Sequence, residues 1–192
     1  MTVALVIALA APVAAESPAD LVDVAGVIPD AVIDLRYATA DNLTGEVLYP
    51  TATCKLRRAV ALRLARAAER LRAQHRRLVL WDCYRPTSIQ AELWKRMPDP
   101  RYVADPKTGS KHNRGAAVDV ALAGEDGVLL EMPTKFDEFS TAAHRRRALR
   151  GAKGAEAKRL DHAMRKAGFV GLSTEWWHFD APGTYRRSNE PL

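Results

Sequence analysis

Cysteine is scarce in this chain: Cys54 and Cys83 are the only two in 192 residues. No C-x-x-C pair occurs, which excludes a thiolate zinc site and a dithiol redox motif. One disulfide between them is possible in an oxidising compartment, and two buried free thiols are the other outcome. Charge is absent from residues 1–15, and the apolar stretch there is too short to span about 30 Å of hydrocarbon. Small residues at Val13-Ala14-Ala15 precede Glu16, the pattern of a cleaved leader. The expectation is a signal peptide over 1–15, a single domain over 16–192, and an exported, periplasmic protein with no stable membrane insertion. Without a working leader the chain would stay in the cytoplasm.

Neither sign of charge runs away: 29 Lys and Arg stand against 23 Asp and Glu, for a net +6. The longest basic cluster, Arg145-Arg146-Arg147 with Arg150, lacks the interleaved aromatics that base stacking needs. It reads as a solvated face or loop, and nucleic acid is not an expected partner. Repeats and low-complexity tracts are missing, and a composition of 47% hydrophobic and 27% charged residues is that of a folded domain. A chain of this length can bury roughly 70% of its unfolded surface, enough for a core without staples. A bound metal would therefore serve chemistry more than folding.

Periodicity supplies the elements. Asp20 to Pro50 suggests short strands and loops. Lys55 to Arg77 repeats apolar residues at three and four (Leu56, Val60, Leu64, Leu71), predicting a helix capped by Thr53. Leu78 to Trp81 is a short apolar strand. Thr87 can cap a helix through Met97, ended by Pro98. Asp99 to Asn113 looks like loop. Ala116 to Leu122 alternates, with Val118, Val120 and Leu122 on one face and Asp119 on the other. Ala155 to Ala167 predicts a helix closed by Gly168, and a last strand runs near Thr174 to Asp180. Interleaving without regular βαβ spacing indicates the α+β class.

Three stretches carry chemistry: Ser110 to Asp119, Glu175-Trp176-Trp177-His178, and Trp81 to Pro86. A catalytic zinc takes three protein ligands and keeps one position open. His112, Asp119 and His178 supply such a set, with Gly115 letting a loop turn into the strand that carries Asp119. Glu175, three residues before His178, is near enough to take a proton from a metal-bound water. On a regular strand Glu175 and His178 would face opposite sides, so the chain must bend there. His75, His144 and His162 read as surface or core residues.

The pattern Ser-x-His-x-x-Gly-x-Ala-x-Asp followed by Glu-x-x-His resembles the zinc D-alanyl-D-alanine dipeptidases. These belong to a wider group of D,D-peptidases that share a fold with the N-terminal domain of hedgehog proteins. Arg36 to Gly45, Tyr84-Arg85-Pro86, Phe136-Asp137 and Glu175 to Phe179 match further blocks of that family, from about Asp20 to about Pro182. The resemblance implies a central, mostly antiparallel sheet flanked by helices, and one Zn2+ per chain on His112, Asp119 and His178. It implies hydrolysis of the free dipeptide D-Ala-D-Ala, with Glu175 as general base and Arg85 stabilising the oxyanion. Asp137, with Ser110 and Tyr37, would hold the substrate ammonium, and Trp176 would shape the pocket. Read from the residues alone, Asp137 is better explained as a helix cap before Glu138-Phe139-Ser140. Two alternatives stay open: a D,D-carboxypeptidase or peptidoglycan endopeptidase on the same zinc site, and a non-catalytic zinc module that binds cell wall. The sequence does not fix the oligomeric state.

Overall fold

The computed structural model describes residues 20–192; the leader expected over 1–15 lies outside the described residues. Two strands build the centre. β4 (Arg77–Asp82) and β5 (Ala117–Ala123) pair antiparallel and are buried almost throughout. Their hydrophobic runs, Leu78-Val79-Leu80-Trp81 and Ala117-Val118, reflect strands covered on both faces. Around them β2 (Val32–Ile33), β7 (His178–Asp180) and β6 (Val170–Gly171) complete a sheet of order β2-β4-β5-β7-β6. Only the β2–β4 pair is parallel. A second ladder joins β1 (Leu21–Asp23) to β3 (Lys55–Arg57). The α+β class and the mostly antiparallel sheet expected from the sequence are both present.

Helix α1 (Arg58–Arg72) buries Val60, Ala61, Leu64, Ala67, Ala68 and Leu71, one stripe at helical spacing. It packs on β4 and on α4 (Gly154–Lys166), whose Ala157, Leu160, Ala163 and Met164 form the facing stripe. A fully buried leucine such as Leu64 or Leu160 is worth about 1.5–3 kcal/mol over an exposed one. Shorter helices α2 (Thr87–Arg96) and α3 (Arg145–Arg150) flank the loops that carry polar groups.

Several local expectations are corrected. The helix predicted from Lys55 begins only at Arg58, because Lys55–Arg57 pairs with Leu21–Asp23 as β3. Thr53 is therefore no cap; Arg57 holds that position, without a side-chain bond. At the other end the helix stops at Arg72, and His75 turns the chain with φ 58°. Pro86, not Thr87, is the N-cap of α2. The strand predicted from Thr174 starts at His178, and residues 174–177 form an irregular turn. The basic cluster is helical, not loop, and Arg145 is buried within it.

Cys54 and Cys83 are joined by a disulfide across 29 positions of sequence. It ties the start of β3 to the end of β4, next to the functional loops. Closing a loop of that length is worth about 3–4 kcal/mol in the chain-entropy description. The Cys54→Ala/Cys83→Ala double variant should thus lose about 3 kcal/mol in urea unfolding. An unchanged midpoint would show that the reduced chain is already constrained.

Candidate metal centre

The site grows out of one strand pair. Asp119 of β5 and His178 of β7 are direct antiparallel partners, so their side chains leave the sheet on the same face. His112 reaches them from a one-turn 3-10 helix, His112–Arg114, that ends immediately before β5. Gly115 makes this entry possible: its φ is +62°, and a Cβ there would lie 2.4 Å from Leu21 Cδ2. Ser110 braces the turn, its hydroxyl oxygen accepting from the His112 N–H at 3.1 Å.

The three ligand atoms lie within 4.8 Å of one another, and all three residues are buried. His178 Nδ1 is 3.0 Å from Asp119 Oδ1 and 3.2 Å from His112 Nε2. The outer nitrogen of each imidazole is occupied. His112 Nδ1 lies 2.7 Å from the Cys83 carbonyl, and His178 Nε2 lies 3.0 Å from Asp180 Oδ1. With each outer nitrogen donating to its acceptor, the neutral imidazoles would turn their inner lone pairs toward each other and toward a carboxylate. Oriented imidazoles of this kind are characteristic of metal ligands. Burial raises an aspartate, but the hydrogen bonds and charge of His112 and His178 hold Asp119 far below its usual range. Burial would likewise lower His178, but Asp119 and Asp180 raise it to about 10. Without a metal a proton on His178 supplies the positive charge beside Asp119, and a bound cation would displace it.

Glu175 stands beside this cluster. Its Oε2 is 4.0 Å from His178 Nδ1, and its Oε1 is buried with no hydrogen-bond partner. Burial pushes its carboxyl up to about 8. The irregular turn over 174–177 is what lets Glu175 and His178 face one site, as their spacing demanded. An orphaned Glu175 oxygen beside two imidazoles and the Asp119 carboxylate fits a divalent cation with a water on its open side. A His2Asp set is also the donor chemistry of a catalytic zinc site, harder than a structural thiolate one.

Arg85 is fixed by partners on three sides. Its Nε and Nη2 donate to Asp82 Oδ2 at 2.9 and 2.5 Å, and its Nη1 donates to Gln90 Oε1 at 3.0 Å. The guanidinium lies over the Tyr37 ring at 5.0 Å, with Nη2 4.0 Å from Asp119 Oδ2. Burial would lower its pKa, but Asp82 and its other neighbours hold it well above the usual value, so it stays charged. Asp82 is itself anchored by Tyr49 Oη at 2.6 Å. The sequence reading gave Asp82 and Gln90 no role, although Asp82 lies in the Trp81 to Pro86 stretch and both sit within five residues of Arg85.

A cavity of about 250 Å³ opens onto these groups, and its walls include Tyr37, Arg85, Ser110, Asp137, Glu175 and the three ligands. Asp137 is not a helix cap. It adopts φ 55°, and its Oδ2 accepts from Tyr37 Oη at 2.9 Å and from the Leu43 N–H at 3.2 Å, leaving Oδ1 for a ligand. Left-handed backbone is tolerated by aspartate and concentrates at functional positions. Burial raises this carboxyl to about 7, even though part of the residue meets the cavity. Trp176 is displaced from its expected place: it packs behind the site against Trp81 and Trp177, and Trp177 is the one that reaches the cavity wall. A larger hollow of about 460 Å³ beside Arg36 and Trp81 holds no ligand set, so chemistry and not volume selects the site.

Comparison with known proteins points to one family. The family model described as D-ala-D-ala dipeptidase matches residues 17–190. The D-alanyl-D-alanine dipeptidase of Escherichia coli strain K12 is 41% identical over 167 residues, 85% of each chain. That of Enterococcus faecium is 32% identical over 176 residues, covering 76% of this chain and 83% of its own. That of Streptomyces coelicolor is 31% identical over 171 residues, with the same coverage.

Asp180 was not foreseen as part of the site, yet it orients His178 from outside. Removing such a partner costs about 10–100-fold in metal affinity. Competition against a chromogenic chelator should show a drop of that size for Asp180→Ala. An affinity equal to the unmodified chain would mean that the Asp180 contact does not set the imidazole.

Proposed function

Because the chain belongs to the D-Ala-D-Ala dipeptidase family of metallopeptidases, we propose that it hydrolyses the free dipeptide D-Ala-D-Ala at one zinc ion held by His112 Nε2, Asp119 and His178 Nδ1. The observation that carries this reading is the convergence of those inner ligand atoms on an orphaned Glu175 oxygen. When bound, zinc polarises the scissile carbonyl and lowers the pKa of a coordinated water toward about 7. Glu175 takes the proton of the attacking water and passes it to the leaving amine, a contribution of about 10²–10⁴ in rate. Arg85 is locked to Asp82 and Gln90 before substrate arrives, so its charge faces the developing oxyanion without reorganisation.

Asp137 sets the length of the substrate. Its free Oδ1 accepts the ammonium of a dipeptide, while Tyr37 and the Leu43 N–H fix the other oxygen. An acylated peptide would leave that carboxylate unpaired, which disfavours the carboxypeptidase and endopeptidase alternatives. The cavity of about 250 Å³ lies below the usual range for drug-sized ligands, roughly 300–1,000 Å³, and suits a substrate of two small residues. The disulfide supports an exported location, together with the leader pattern over 1–15. Dipeptide released from cell wall is then the accessible substrate.

The direct test is a hydrolysis assay on the purified chain with free and N-acetylated D-Ala-D-Ala, with and without chelator. Turnover of the free dipeptide alone, abolished by chelator, is expected. Equal cleavage of the acetylated peptide would transfer the chain to the carboxypeptidase reading. Glu175→Ala should retain zinc and lose at least about 100-fold in kcat; a near-normal rate would take the base role away from it.

The Asp137 carboxyl also predicts a pH dependence. Only its ionised form attracts an ammonium, and burial raises its pKa to about 7. KM at saturating zinc should therefore fall as pH rises from about 5.5 to 7.5, and then level off. Asp137→Asn should have a high KM that no longer follows pH. A variant with the wild-type profile would place the titrating group elsewhere.

A further inference from the structure

Behind the metal centre lies a second buried guanidinium that the mechanism does not use. Arg145 is 5% exposed and stands at the start of α3, inside the basic run that sequence reading assigned to solvent. Its Nη2 donates to the carbonyl of Glu175 at 3.0 Å and to that of His178 at 2.7 Å. Its Nε donates to the Leu172 carbonyl at 2.8 Å, and its backbone N–H to the Ser173 carbonyl at 2.9 Å. Nη1 pairs with Asp161 of α4 at 2.6 Å, and the guanidinium lies 4.3 Å from the centre of the Phe179 ring.

One side chain thus collects the backbone of the base, of a metal ligand and of the turn that leads to both. Residues 174–177 lie outside the strands, and besides the Val120 N–H to the Trp177 carbonyl and the Trp176 N–H to the Ala143 carbonyl, both at 3.1 Å, the Arg145 bonds shape the turn. Gly171 keeps the place open: a Cβ there would lie 2.2 Å from Arg145 Cζ. Arg146 and Arg147, next in sequence, are exposed or bonded only at the surface, so the role is confined to one member of the cluster.

We infer that Arg145 is a positioning residue for the metal centre, holding the Leu172–His178 turn so that Glu175 and His178 address the same cation. This rests on the metallopeptidase reading above. A residue that only stabilised the fold would lower unfolding temperature while leaving zinc affinity and rate per folded molecule unchanged. A positioning residue changes both, because a carbonyl clamp lost at the turn misplaces ligand and base together, whereas the ammonium pocket around Asp137 is built from other loops.

The test uses the full chain and its Arg145→Lys, Asp161→Asn and Arg146→Ala variants, with zinc affinity by chelator competition, circular dichroism and steady-state kinetics. Lysine keeps the charge but cannot reach several carbonyls at once. Arg145→Lys should keep the native spectrum, bind zinc about 10–100-fold more weakly, and lose at least tenfold in kcat at saturating zinc, with KM within about twofold. Asp161→Asn loosens the guanidinium without emptying its site and should shift both quantities the same way by a smaller factor; it serves if the lysine variant does not fold. Arg146→Ala should match the parent. Folded variants at Arg145 and Asp161 with parental zinc affinity and kcat would overturn the inference. A parent chain that binds zinc but turns over no D,D-dipeptide would overturn the substrate reading while the affinity data still judge Arg145. A parent that binds no zinc would overturn both.

Discussion

Carboxylates and imidazole lone pairs buried together need a positive charge between them. Asp82, Asp119 and Glu175 are each at most 5% exposed, and they sit around His112 and His178 in one small region. Taking an unpaired carboxylate out of water costs several kcal/mol, and among the described residues lining the cavity Arg85 is the buried guanidinium. Arg85 is committed to Asp82 and stays 4.0 Å from Asp119, so it does not neutralise the centre. In the free chain, protons on His178 and Glu175 offset this charge; a divalent ion would take their place, and the fold holds these groups together in spite of their cost. Function here comes from an arrangement that would be unfavourable without its cation.

That arrangement is carried by backbone more than by side-chain packing. β5 and β7 set Asp119 opposite His178, and a single turn ending at Gly115 delivers His112. The disulfide at Cys83 lies on the residue whose carbonyl receives His112 Nδ1, so a covalent tie and a ligand orientation meet at one point. Arg85 is locked in front of the ligands and Arg145 behind them. The first guanidinium presents charge to the cavity. The second spends its donors on carbonyls and presents none. Rigidity from both sides is what a site needs when its acceptors must be in place before the reaction begins.

Much of this was legible in the chain because it rests on local rules. Alternation over Ala116–Leu122 predicted the strand and put the Asp119 carboxylate on the face opposite its aliphatics. Helical spacing found α4 almost to the residue, and the donor types of His112, Asp119 and His178 named a ligand set. The incompatibility of Glu175 and His178 on one straight strand correctly demanded a bend. What escaped depends on distant partners. Lys55–Arg57 carries a helical pattern but is drawn into a strand by Leu21–Asp23. Trp176, given a pocket role by family resemblance, packs behind the site, and Trp177 lines the cavity instead. Arg145 looked like any surface arginine, since backbone carbonyls leave no signature in a sequence. Asp180 could have been found, because a residue two beyond His178 on a strand shares its face.

The account depends on one cation with two nitrogen ligands, one carboxylate ligand and an open corner, and X-ray absorption at the zinc edge of the loaded protein measures this directly. It should show two imidazole nitrogens and two oxygens at about 2.0–2.2 Å, one oxygen from the carboxylate and one from water. In Glu175→Ala the nearest-neighbour shell should be unchanged, since Glu175 acts from outside it. A sulfur neighbour near 2.3 Å, or a third imidazole filling the open corner, would contradict the assignment of His112, Asp119 and His178 as a catalytic site.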